Sequence, residues 1–511
     1  MLHSRYASRH RHYWKSQNIP SEPFSIVFGP TLKMLFKPQF KIDHERYMKH
    51  GNFFGAFEAG KPVLFVAEPD LVKQVLVKDF AALPYRMDTT FTDPVLSSMM
   101  STAKGDQWRK VRRAASPAFS SGKLRKMTSL VEKCAYVTLE HLKKAAANEE
   151  DIDLKEFYGN YSLDVIARCA FATELDSYSD NASEFVKKTR DSFSGRISPR
   201  IFFVLTFPRI AKLLGIQLST SDTFEYFVQI CKTIIKKRKD KKERHDDFLQ
   251  LMMDAQAGEL NDAVENVSAR DEKLFNLGSD VQVDAPVGAN KTLTEDEAVA
   301  QCVLFLIAGQ DTVSTAIAHT LYLLAIHPEV QAKLRKEVDD CFAKEGEHPN
   351  LDAVSKLKYL HCVVSESLRI HPPSTRIQRA ADSDYVLSHT GVKVKKGDAI
   401  AIPIYSMHRD PQYFSNPSVF DPERFNDENA ASIQPYTYLP FGAGPRNCIG
   451  MRFALQAVKL SVLHTIRNVC LVRTAKTKVP LEFHRSAFLT AKDIIVGIRR
   501  RDDQDSQVFK Y

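Results

Sequence analysis

Phe441-Gly442-Ala443-Gly444-Pro445-Arg446-Asn447-Cys448-Ile449-Gly450 is the stretch on which the reading of this 511-residue chain turns. Two glycines and a proline within four residues specify a tight turn, and such a turn can aim backbone N–H groups at a buried thiolate and hold it as an anion. Cys448 then leads into an apolar run of helical spacing, residues 451–463. With no second Cys and no His beside it, this sulfur suits a lone axial metal ligand better than a zinc site. A merely structural cysteine would not require Gly-x-Gly-Pro-Arg-x-Cys-x-Gly around it. The other seven (Cys134, Cys169, Cys231, Cys302, Cys341, Cys362, Cys470) are widely spaced with no C-x-x-C, which excludes a disulfide scaffold and fits a reducing compartment.

Upstream, Thr294 followed three residues later by Glu297 reads as a capping box, and His327-Pro328 as a stop. The helix between them would be roughly 50 Å long at 1.5 Å per residue and would cross the whole protein. Its apolar part, Val303 to Ile326, has spanning length but holds Asp311 and His319, so it reads as a buried globular helix. In its middle stands Ala308-Gly309-Gln310-Asp311-Thr312. Gly309 would let a flat ligand approach the backbone, and the Thr312 hydroxyl can reach the Ala308 carbonyl one turn back. Taken alone, this segment also reads as a helix irregularity packed in a core.

Glu366 and Arg369 are three apart in a helical pattern ended by Pro372-Pro373, so they share a face and can pair. At a surface the pair would contribute little. If buried it needs a third partner, for which Arg424 of Phe420-Asp421-Pro422-Glu423-Arg424-Phe425 is the candidate.

Residues 105–380 are mostly helical in pattern, and short β-like runs follow after 380. The basic run Lys236–Arg244 reads as a solvated helix end, and residues 255–293 as a long surface loop. Composition is that of a packed enzyme: 44% apolar, 26% charged, and too few of Gly (20) and Pro (24) for low complexity. The net charge of +9 fits a basic patch but is too weak to demand nucleic acid. The expected organisation is a basic N-terminal segment, 1–39, ahead of one domain, 40–511. Arg5, Arg9, Arg11 and Lys15 have no apolar run behind them, so the segment reads as neither a cleavable signal nor a spanning anchor. The run Ile201–Ile216 is the candidate for dipping into a membrane interface.

The segments FGAGPRNCIG, ESLR, AGQDT and FDPERF, in this order and spacing, resemble the cytochrome P-450 superfamily of haem-thiolate monooxygenases, most closely the animal clan of family-three enzymes and thromboxane synthase. The resemblance runs from about residue 40 to 505. It implies a mainly α fold with a smaller β-rich part, a single haem-thiolate domain. It implies haem b with Cys448 as the proximal iron ligand, and O2 and NADPH-derived electrons as co-substrates. Trp108, Arg112, Arg379 and Arg446 would meet the propionates, with Ala308, Gly309, Phe441 and Gly450 against the cofactor. Asp311 and Thr312 would manage proton delivery, and Glu366, Arg369 and Arg424 would fix the Cys loop. Leu304, Ile307, Ser374 and Thr375 would line the substrate pocket, with loops near Met87–Met100 and Ala487–Leu489. The implied partners are a small apolar substrate, an NADPH–flavoprotein reductase and cytochrome b5 at the cytosolic face of the endoplasmic reticulum membrane, with no nucleic acid. Helix spacing around Trp108 would turn Lys110 and Arg113 to solvent, to form with Lys123, Arg125 and Lys126 a basic docking surface.

This sequence departs from the family in two places: Val313 stands where a second hydroxyl is more usual, and the hydrophobic anchor and much of the proline-rich hinge do not appear. Three functions fit a haem-thiolate chain: a monooxygenase, a peroxide isomerase that needs no reductase, and a non-catalytic haem carrier or sensor. The presence of both Asp311 and Thr312 selects the first.

Overall fold

The computed structural model describes residues 11–24, 33–58, 60–86, 93–175, 177–179, 184–192, 203, 213, 214, 216, 222–259, 269–276, 292–486 and 488–501. Most of the run Ile201–Ile216, part of the Met87–Met100 loop and Ala487 lie outside these residues. The helical frame is α1 (Gln39–His50), α2 (Gly105–Ala115), α3 (Ser121–Ala147), α4 (Leu154–Phe171), α5 (Asp222–Lys241), α6 (Phe248–Ala257), α7 (Glu295–Ile326), α8 (Pro328–Glu345), α9 (Lys358–Ile370) and α10 (Met451–Asn468).

α7 is the axis of this frame. The Thr294 hydroxyl accepts from the Glu297 N–H while the Glu297 carboxylate accepts from the Thr294 N–H, so two orphan donors are met at its start. Its 32 residues span about 48 Å. By length and composition α7 is apolar enough to cross a membrane, yet α4, α5, α6, α9 and α10 all pack on it. It is a core helix, hydrophobic on nearly every side because protein surrounds it. The closest crossing is with α4. A Cβ on Gly309 would stand 2.6 Å from Ile166 Cδ1, so the bare face of Gly309 is filled by a neighbouring helix. That contact fills the Cβ side, and Gly309 still keeps accessible surface beside the exposed Ala308.

The main sheet has the order β1-β2-β7-β4, from β1 (Phe53–Glu58), β2 (Lys61–Val66), β4 (Ile377–Ala380) and β7 (Ala399–Ile402). β1 and β2 form an antiparallel hairpin, β2 runs parallel to β7 (Val63 opposite Ala399), and β7 is antiparallel to β4 (Ile402 opposite Ile377). A second sheet joins β3 (Asp151–Asp153), β9 (Ile495–Arg500) and β8 (Val469–Val472), and β5 (Tyr385–Leu387) pairs with β6 (Val392–Val394). Half of the main sheet therefore comes from residues 53–66, well before the β-like texture seen after 380. Those two strands are buried on both faces, so they carry no polar–apolar alternation to reveal them.

The sheet builds a second apolar core beside that of the helices, and the division expected at residue 39 does not follow its packing. Trp14 is buried in that core with its indole N–H donating to the Ala56 carbonyl at 2.9 Å, and it occupies the space a Cβ on Gly55 would need. The Tyr13 hydroxyl donates to Asp398 at 2.6 Å. Two further expectations need revision. Arg238, inside the basic run, turns inward to a bidentate pair with buried Asp247. Within 255–293 the short helix Ala269–Leu274 delivers Phe275 to the core, where its ring meets Tyr438 and Phe441.

Candidate functional site

Gly442 and Gly444 take φ of 73° and 72°, in the left-handed region that favours glycine. At Gly444 a Cβ would lie 1.9 Å from the Leu76 carbonyl oxygen, so backbone passes backbone there. The loop closes on itself: the Asn447 N–H donates to Gly444 O and the Cys448 N–H to Phe441 O, both at 2.9 Å. From outside, Arg112 of α2 donates to Asn447 O at 3.0 Å and to Asn447 Oδ1 at 2.7 Å. Gly450 ends the turn as the residue before α10. The position of Cys448 is thus fixed by its own turn and by a guanidinium from a separate helix.

Of the eight cysteines, all free, seven are buried and Cys448 alone presents its side chain. Although its surface is accessible, the protein packed around it pushes its thiol above the ordinary value by desolvation, against the lowering pull of the Gly450 N–H and the Arg112 and Arg86 guanidiniums. A cation at the sulfur would supply the missing stabilisation, because a coordinating thiol is deprotonated by the metal.

Arg86, Arg112, Arg379 and Arg446 act on one another beside this loop. Burial and then the neighbours Arg86, Arg379 and Arg112 pull Arg446 down to about 8, and burial and Arg86 pull Arg379 down to about 9. A guanidinium does not give up its proton in a protein, so repulsion of this kind is relieved by an anion. The hydrogen bonds leave room for one. Arg446 donates to Met100 O at 3.2 Å and Ala103 O at 2.8 Å and lies 4.4 Å over the buried Trp108 ring, while Arg379 donates to Gln378 O at 2.9 Å. The Nε atoms of both remain buried without a partner. Arg86, which donates to Arg446 O at 3.1 Å, is a member that sequence reading missed. Nothing in Tyr85-Arg86-Met87 announces it, since its neighbours in the cluster lie far along the chain.

The exposure pattern along α7 completes the site. Leu304, Ile307, Ala308, Asp311 and Thr312 keep accessible surface between fully buried flanks, and Ala308 is outright exposed in the middle of a core helix. Phe305, one turn before, packs on Phe453 of α10 with ring centroids 5.6 Å apart. The open step of α7 therefore lies close to the helix that Cys448 leads into. Thr312 Oγ1 donates to Ala308 O at 2.7 Å. Asp311 brings in a second unforeseen residue, Lys155 of α4. The Lys155 ammonium donates to Asp311 Oδ1 at 2.7 Å, to Asp311 O at 3.0 Å and to Ser314 Oγ at 2.7 Å. No described residue engages Asp311 Oδ2. Side chains thus compete for carbonyl oxygens across one turn, at the point where the helix faces the gap.

Glu366 and Arg369 have no exposed side-chain surface. Arg369 donates to both carboxylate oxygens at 2.7 and 2.8 Å, and also to the carbonyls of His408, Pro417 and Val419. Arg424 joins at 3.3 Å, and the Asp421 N–H at 3.0 Å. This cluster ties α9 to residues 408–424, the chain that leads into the Cys loop. Of the pocket residues, Ser374 pairs with Phe488 in an isolated bridge, and Thr375 is buried with its carbonyl accepting from the Tyr405 N–H at 3.1 Å.

The expected basic surface is corrected. Lys110 turns to the capping-box carboxylate of Glu297 at 2.6 Å. Lys123 and Lys126 share Asp246 at 2.8 and 2.6 Å, and Arg125 stands 4.0 Å from Asp352. Carboxylates from distant segments, invisible to helix-face spacing, offset most of that charge.

The family description "Cytochrome P450" matches residues 20–496. The chain is 34% identical over 505 residues to cytochrome P450 3A11 of Mus musculus, covering 98% of this chain and 94% of that protein. It is 34% identical over 501 residues to cytochrome P450 3A2 of Rattus norvegicus (96% and 94%) and 32% identical over 503 residues to cytochrome P450 3A5 of Homo sapiens (97% and 94%).

Proposed function

Since the chain belongs to the cytochrome P450 family, and is thereby a haem monooxygenase, we propose that it oxygenates a small apolar molecule of xenobiotic, steroid or fatty-acid type with electrons relayed from NADPH by a flavoprotein reductase. Haem b, when bound, supplies the iron at which dioxygen is activated, and a thiolate ligand favours cleavage of the O–O bond. The observation that carries this reading is Cys448, the one presented thiol, set beside four converging guanidiniums with two unpartnered Nε atoms. Those residues suit a cofactor with a cationic centre and two carboxylate arms. Arg86, Arg112, Arg379 and Arg446 would hold the arms, and Trp108 would support Arg446 from behind.

Asp311 and Thr312 would handle protons. Lys155 anchors Oδ1 and the backbone of Asp311, which leaves Oδ2 as the atom that takes up and passes a proton. The Thr312 hydroxyl, lent to Ala308 O, can turn to order a water in the gap. Leu304 and Ile307 would exclude bulk water and face the substrate, and Ser374 and Thr375 would form the opposite wall. Docking of the reductase would rely on Arg113, with a minor share from the partly offset cations of α3. Contact with the cytosolic face of the endoplasmic reticulum membrane, and cytochrome b5 as a second electron donor, belong to the same reading.

Thr312→Ala is expected to keep Cys448 ligation and substrate binding while diverting electrons into hydrogen peroxide. Product per NADPH should fall by up to about a hundredfold, the lower end of what a positioned proton-transfer group contributes. Simultaneous assay of NADPH, peroxide and product checks this; an unchanged product-to-NADPH ratio removes Thr312 from proton delivery.

A further inference from the structure

Arg376 stands between the pocket-wall residues Ser374-Thr375 and the strand β4 that carries Arg379, and its side chain leaves this segment for another part of the fold. Its Nε and Nη2 donate to Asp43 of α1 at 2.8 and 2.6 Å, and its Nη1 and Nη2 to Glu58 of β1 at 2.9 and 2.7 Å. Both carboxylates are held bidentately by one fork, the geometry for which arginine is suited and lysine is not. Arg46 closes the group, donating to Asp43 at 3.2 Å, to Glu58 at 3.0 Å and to Glu22 at 3.0 Å. Both guanidiniums also lie over the Phe65 ring, at 4.9 Å for Arg376 and 5.6 Å for Arg46. Three carboxylates and two guanidiniums thus meet beneath one aromatic ring, at the junction of the N-terminal segment, α1, β1 and the start of β4.

The segment from His371 to Arg376 joins α9 to β4. Pro372 and Pro373 offer no N–H, and β4 begins only at Ile377. His371 donates its N–H to Ser367 O at 2.7 Å and sets its ring against His319 of α7, centroids 4.6 Å apart, while Leu489 N–H donates to Pro373 O at 3.0 Å, Tyr405 N–H to Thr375 O at 3.1 Å and Ser374 bridges to Phe488. These contacts tie it to α9, to α7 and to the chain at residues 405 and 488–489. Four charge-assisted bonds through Arg376 add its tie toward α1 and β1.

We propose that Arg376, through Asp43 and Glu58, is a positioning residue that sets the pocket wall formed by Ser374 and Thr375, and so the fit of bulky ligands. The inference rests on the reading of that segment as pocket wall. Lysine at 376 keeps the charge but cannot bind both carboxylates bidentately, so the segment should relax away from α1 while Cys448 and its loop stay in place.

The test compares two nitrogen-donor probes by optical titration of the haem-loaded enzyme: imidazole, small enough to reach only the iron, and clotrimazole, which must fit the wall. In Arg376→Lys the clotrimazole Kd is expected to change by about fivefold or more while that of imidazole stays within about twofold. Glu58→Gln, which weakens one of the two clamps, should show the same split to a smaller degree and serves if the lysine variant loads no haem. Glu22→Gln, which touches only Arg46, should move neither probe. Equal shifts for both probes would mean that the cluster acts on the cofactor seat, and no shift with only a lower Tm would mean that it holds the fold alone; either overturns the proposal. Failure of the unaltered protein to bind imidazole would instead overturn the haem-thiolate reading.

Discussion

Replacing Cys448 by serine is expected to abolish the thiolate signature of the carbon monoxide adduct of the reduced protein and, with it, oxygenation. A hydroxyl at this position is neither soft nor anionic, so it cannot supply the electron donation that a thiolate ligand does. No other cysteine can take over, because the remaining seven are buried, six of them in the helical core and Cys470 on β8. The turn itself should survive, since its closing bonds use backbone atoms of Phe441, Gly444, Asn447 and Cys448. The spectrum of the reduced, carbon monoxide-treated variant decides the matter: a retained thiolate-type Soret band would place the ligand at another cysteine.

Glu366→Gln is expected to cost about 3–5 kcal/mol, the effect of removing one partner from a buried ion pair. Glu366 and Arg369 are wholly inaccessible, and Arg424 leans on the same carboxylate. Neutralising it leaves two guanidiniums facing each other without a counter-charge. Arg369 also holds three carbonyls of the segment that leads into the Cys loop, so haem retention should fall along with stability. Thermal unfolding and the ratio of haem to protein after purification report both effects. A variant with unchanged Tm and full haem content would show that the pair does not hold this segment.

Features with local grammar were legible in the sequence. The capping box at Thr294 and the stop at His327 bound α7 because both are short-range backbone chemistry. The two glycines of the Cys turn sit at positive φ, as a tight turn with close backbone approach requires. The spacing of Glu366 and Arg369 gave the pair, and the need for a third partner pointed to Arg424. Features made by residues far apart were not legible. Arg86 and Lys155 carry no motif and gain meaning only when the fold brings them to Arg446 and Asp311. What packs on the Cβ side of Gly309 was not legible either, since a glycine's neighbour is set only when the helix is rotated into place, and here it is Ile166. Strands β1 and β2 hid because burial on both faces erases alternation, and the solvent-facing reading of Lys110 failed because spacing names a helix face without naming what covers it.

The oxygen atom added to the substrate should come from dioxygen activated at a Cys448-ligated haem. Turnover in isotopically labelled dioxygen, with the reductase and NADPH and a panel of apolar steroids, fatty acids and aromatic xenobiotics, tests this most directly by mass spectrometry of the products. Products should carry one labelled oxygen atom and form only when NADPH is consumed. Products without label, or conversion of added hydroperoxides with no use of NADPH, would contradict this and assign the chain to peroxide isomerisation.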